Sequence, residues 1–69
     1  MRISARNQSR GTVKSVKHGA VVSEAVVDLG NGQELVSVIT RESAEQLGLA
    51  PGTPVVAIIK ATEVMVAVE

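Results

Sequence analysis

Three short patches carry groups suited to holding a small tetrahedral anion: Ser4-Ala5-Arg6-Asn7-Gln8, Ser37-Val38-Ile39-Thr40 and Ile59-Lys60-Ala61-Thr62. A serine or threonine hydroxyl, backbone N–H groups freed at strand ends, a guanidinium and an ammonium are all donors, which is what an oxyanion requires when it leaves water. Neutral donors fix the shape of such a site, whereas Arg6 and Lys60 cancel charge. Each residue also has an ordinary reading: Ser4 and Thr40 as strand-end caps, Arg6 as partner of an interface acid, Lys60 as a snorkelling rim residue. The residues alone therefore support an oxyanion-binding β module and nothing narrower. Catalysis has no comparable set. His18, the sole histidine, lies in a basic turn with no acidic orienter near it in sequence, and Gly30-Asn31-Gly32 is too short for a phosphate-cradling loop. The expectation is a protein that is not an enzyme, with no disulfide or metal cluster, since cysteine is absent.

The patches need elements to position them, and the elements read mostly as strands. Gly11 to Val16 predicts a strand, followed by a Lys17-His18-Gly19 turn. Ala20 to Leu29 alternates, with Val21, Ser23, Ala25, Val27 and Leu29 on one face and Val22, Glu24, Val26 and Asp28 on the other. Gly30-Asn31-Gly32 signals a hairpin, returning as Gln33 to Thr40. Arg41 to Gly48 is rich in helix formers and closes on a glycine. Thr40 with Ser43 three residues on does not make a capping box, so a soft helix start is expected. Leu49-Ala50-Pro51-Gly52 is a turn, Pro54 opens a fourth strand over Val55 to Lys60, and Glu63 to Val68 reads as a fifth. The fold expected is all-β: a five-stranded OB-type Greek-key barrel with one short helix between strands 3 and 4.

With 69 residues the chain has room for a single domain, 1–69, and in a domain of this size hydrophobic gain and ordering cost nearly cancel. Yet 45% of the residues are hydrophobic. Pairs such as Val21/Val22, Val26/Val27, Val38/Ile39, Val55/Val56 and Ile58/Ile59 make strands apolar on both faces, while a closed barrel dries only its inner one. Outward-facing valines therefore predict interfaces between subunits. Net charge is zero, although Arg2, Arg6, Arg10, Lys14 and Lys17 all precede the first acid, Glu24. A nucleic-acid-binding OB module is the alternative these residues suggest. The absence of any aromatic side chain for base stacking argues against nucleic acid. No apolar run has the length of a membrane span and no signal-peptide core opens the chain, so no membrane partner and a cytoplasmic location are expected.

Ser-Ala-Arg-Asn-Gln followed by Gly11, Ser-Val-Ile-Thr at 37–40, Leu47-Gly48-Leu49 with Pro51-Gly52, and Ile-Lys-Ala-Thr-Glu-Val-Met at 59–65 together resemble the molybdopterin-protein (Mop) domain of molbindins. The likeness runs over essentially the whole chain. It implies an OB-type barrel, a homo-hexamer built as a trimer of dimers, and molybdate or tungstate as ligand. It further implies a free-standing cytoplasmic store, since the chain has no room for an appended DNA-binding or ATPase part. By matched motif, Ser4 would supply a hydroxyl, Ala5 and Ala61 backbone N–H groups, Arg6 a charged donor or brace, and Lys60 the ammonium. Thr40 would reach in from a neighbouring subunit. A second kind of oxyanion site near symmetry axes would fall on the Lys17 to Val22 turn, with His18 and freed N–H groups of Gly19 and Ala20 converging from several subunits.

Overall fold

Four strands and one short helix follow in chain order: β1 (Asn7–His18), β2 (Val22–Gly30), β3 (Gln33–Thr40), α1 (Arg41–Gln46) and β4 (Pro54–Ile59). In this computed structural model, which describes residues 1–69, they form one antiparallel sheet in the order β3-β2-β1-β4. The alternation read in β2 sets its inner face: Ser23, Ala25 and Val27 are buried, joined by Val13 and by Ala44 from α1. His18 Nδ1 lies 2.6 Å from the Ser23 hydroxyl, so the one buried polar side chain is satisfied.

β1 serves two partners, which is why it is longer than its apolar residues suggest. Asn7 to Thr12 pair with β4, and Thr12 to His18 pair with β2. Two devices let one strand do this. The register shifts between Val13 and Ser15, making Lys14 the extra residue of a bulge that coils the strand. At Gly11 a Cβ would stand 2.6 Å from the Asp28 carbonyl oxygen, so this close approach requires glycine. The hairpin between β2 and β3 forms as expected, with positive φ at Gly30, Asn31 and Gly32.

Two expectations are corrected. The start of α1 is firm: Thr40 Oγ1 accepts from the Ser43 N–H at 3.1 Å, and the two hydroxyl oxygens are 2.7 Å apart. The fifth strand is absent from the single chain. Residues Ala61–Glu63 form a 3-10 turn, after which Met65, Val66 and Val68 are 94%, 87% and 93% exposed. A strand exists only against a partner edge, and this segment meets neither of the free edges of β3 and β4. The curled, OB-like sheet stays open there. An apolar cleft of about 290 Å³ runs between those edges, with Val13 and Val27 among its lining and Leu35, Ile39, Val55 and Ile59 contributed by the outer strands.

The chain is correspondingly uncovered. A folded monomer of 7.2 kDa is expected to expose about 4,100 Å². This one exposes 5646 Å², an excess of about 1,500 Å² over that expectation. Part of the excess is the outer sheet face, where Val22, Val36 and Val38 stand in solvent.

Candidate functional site

The β1–β4 register assembles most of the donor set. Because Asn7 faces Ile59, Ser4-Ala5-Arg6 enters the sheet beside the point where Lys60-Ala61 leaves it. The leader is tucked back by Gln8, whose Nε2 donates to the Ala5 carbonyl at 2.9 Å. Lys60 is extended and precedes the 3-10 turn closed by Glu63 N–H on the Lys60 carbonyl at 2.8 Å. None of the turn and loop hydrogen bonds uses the N–H of Ala5 or Ala61. The two ion pairs are Lys14–Glu34 and Arg41–Glu45, so Arg6 and Lys60 both stand without a carboxylate. Five of the six expected residues thus share one end of the sheet, as hydroxyl, amide and cationic donors with unmet capacity.

Thr40 is not among them. It pairs with Val22 at the far end of β3, beside the His18 end of β1, while the donor cluster adjoins the Asn7 end. The twelve residues of β1 span about 40 Å of contour. Thr40 also faces outward, in series with Val36 and Val38. Its hydroxyl is engaged by Ser43, a residue that the sequence offered at the right spacing but that does not make a capping box.

The turn after β1 holds the remaining candidates. His18 is the exposed last residue of β1 and bonds Ser23, which is 1% exposed and so out of reach of any substrate as a nucleophile. The Gly19 N–H, expected to be free, donates to the Val22 carbonyl at 2.7 Å; the Ala20 N–H has no such bond. Arg41, also missed from sequence, ties this turn to α1. Its N–H donates to the Val21 carbonyl at 2.8 Å, Nη1 reaches the Gly19 carbonyl at 3.4 Å, and Nε pairs with Glu45 at 2.8 Å. Nothing here groups His, Asp and Glu as a metal site would require. The apolar cleft, with Ser37 its lone polar lining residue, offers an anion no charge and a single hydroxyl.

Comparison with known proteins gives a consistent family. Residues 3–66 match the family described as TOBE domain. The chain is 46% identical over 66 residues to molybdenum-pterin-binding protein 3 of Clostridium pasteurianum, covering 96% of this chain and 97% of that one. Among solved structures, a molybdate-binding protein from Sporomusa ovata superposes with a TM-score of 0.90 at 45% identity, covering 97% and 98%. The cytoplasmic molybdate-binding protein ModG superposes with a TM-score of 0.84 at 46% identity, over 88% of this chain and 43% of its own.

Proposed function

We propose that this chain, which belongs to the TOBE domain family beside the single-domain molybdenum-pterin-binding (Mop) proteins, binds molybdate or tungstate as a bare tetrahedral dianion and stores it in the cytoplasm. The observation that carries this reading is the cluster of unpaired donors where β1 begins and β4 ends, without a carboxylate among them. Ser4 offers a hydroxyl, Ala5 and Ala61 their N–H groups, and Arg6 and Lys60 positive charge. The names of the relatives supply the ligand class, and ModG the cytoplasmic setting.

Thr40 completes the site from a neighbouring copy. Three features support such sharing. Thr40 and the cluster lie at opposite ends of β1. Thr40 continues the row of Val36 and Val38, so a copy that covers those valines carries Thr40 into the contact. The excess exposed surface is of the size an obligate interface removes from water. The assembly is a hexamer, a trimer of dimers. The turn at His18, Gly19 and Ala20 is a second oxyanion position, to which one chain brings the Ala20 N–H and the other copies the remaining donors.

Calorimetric titration with molybdate, tungstate, sulfate and phosphate tests the reading. Molybdate and tungstate should bind, sulfate more weakly because the ion is smaller, and hydrogen phosphate poorly because the site has no carboxylate to take its proton. Phosphate binding equal to molybdate overturns it. A monomeric mass by light scattering, with a concentration-independent melt, overturns the assembly.

A further inference from the structure

The contact between Thr40 and Ser43 extends to selectivity, on the premise that Thr40 meets the anion. A hydroxyl carries one proton and two lone pairs. The Ser43 N–H already fills one lone pair of Thr40 Oγ1 at 3.1 Å. Ser43 Oγ lies 2.7 Å away, and in the free chain the Thr40 proton points at it. Turning both C–O bonds reverses that bond without moving a heavy atom: the Ser43 O–H enters the second lone pair of Thr40, and the Thr40 proton is released outward. Ser43 is held for this by the first turn of α1, whose next residue, Ala44, is 1% exposed.

We infer that Ser43 is a specificity-determining residue: it fills both lone pairs of Thr40 Oγ1, so that Thr40 can donate to the bound anion and cannot accept from it. A fully deprotonated oxyanion asks only for donors and is held by a hydroxyl polarised through the Ser43 chain. Hydrogen phosphate brings an O–H that needs an acceptor, and Thr40 has none to offer. Ser43 does not touch the ligand; it acts through Thr40.

The test is titration of the Ser43→Ala protein with molybdate and with inorganic phosphate. Alanine keeps the backbone N–H that caps α1 and favours the helix, so circular dichroism and assembly mass should match the parent protein. One lone pair of Thr40 is then open. The molybdate-to-phosphate affinity ratio should narrow by roughly tenfold, with molybdate weakened and phosphate held or strengthened. Ser43→Thr, which returns a hydroxyl, should restore the ratio. An unchanged ratio in Ser43→Ala overturns the inference while Thr40→Val still weakens molybdate. If Thr40→Val binds molybdate as tightly as the parent, the placement of Thr40 at the anion falls, and the role of Ser43 with it.

Discussion

The two ends of β1 are chemically opposite. Where the chain enters, Arg6 and Lys60 have no ionic partner and two backbone N–H groups have no turn acceptor. Where β1 ends, the polar groups are engaged apart from the Ala20 N–H: His18 with Ser23, Gly19 N–H with Val22, Arg41 with Glu45 and Gly19, Thr40 with Ser43. Groups without partners are poised for a ligand and contribute little to folding. Groups with partners hold the fold and must exchange one bond for another when a ligand comes. On the proposed reading, binding and stability therefore separate at one end of the molecule and mix at the other.

The sharpest way to break that contrast is Lys60→Met. It removes a charge from the proposed site and should weaken molybdate by about a hundredfold, read by calorimetry. The melting temperature of the anion-free protein should stay put, because Lys60 has no partner to lose. A large drop in the anion-free melting temperature would show that Lys60 is structural.

Thr40→Val should weaken molybdate by ten- to a hundredfold and, unlike Lys60→Met, cost about 1 kcal/mol of stability, because the helix loses its cap. Loss of binding with unchanged stability in urea unfolding would contradict the mixed role assigned to this end. Refolding the two variants together gives mixed pairs, in which one site joins an intact Lys60 to an intact Thr40. Tight binding should return for a fraction of sites. If it does not, while native mass spectrometry shows exchanged subunits, the sites lie within single chains.

The smallest effect belongs to neither end. Lys14, the bulge residue, has its ammonium pKa raised by the hydrogen bond and charge of Glu34, with Asp28 adding slightly. A raised value in the folded state means this pair stabilises fully below the ordinary lysine pKa and is lost as pH rises through the folded one. The pair is exposed, so salt screens it. Lys14→Gln should narrow its melting-temperature gap from the parent protein as pH climbs from neutral through the lysine range. A gap that widens contradicts the sign.

Much of the sheet was legible because it follows from local pattern. The alternation through Ser23, Ala25 and Val27, the Gly30-Asn31-Gly32 hairpin and the bounds of β3 depend on residues near one another in the chain. What escaped depends on partners far away. Asn7 to Arg10 are polar and lie outside the strand expected from Gly11 to Val16, yet β4 holds them in one. Glu63 to Val68 has a strand's pattern and meets neither free edge of the sheet. The same division holds for the candidate site. The donor types at Ser4, Arg6 and Lys60 were readable, but their meeting rests on the Asn7–Ile59 register, which no local signal encodes. Ser43 escaped for a narrower reason, since a serine at that spacing lacks the carboxylate or amide of the usual capping box and still engages the cap.

The pairing of Asn7 with Ile59 also bears on where else this fold can be used. The chain enters and leaves the sheet side by side, so entry and exit share a single doorway. A unit of that kind can be spliced into a surface loop of another protein, or joined head to tail with its own duplicate by a short linker, without unthreading any strand. Because the donor cluster surrounds that doorway, any such fusion places its junction beside the proposed anion site. The host protein would then register occupancy directly at the seam.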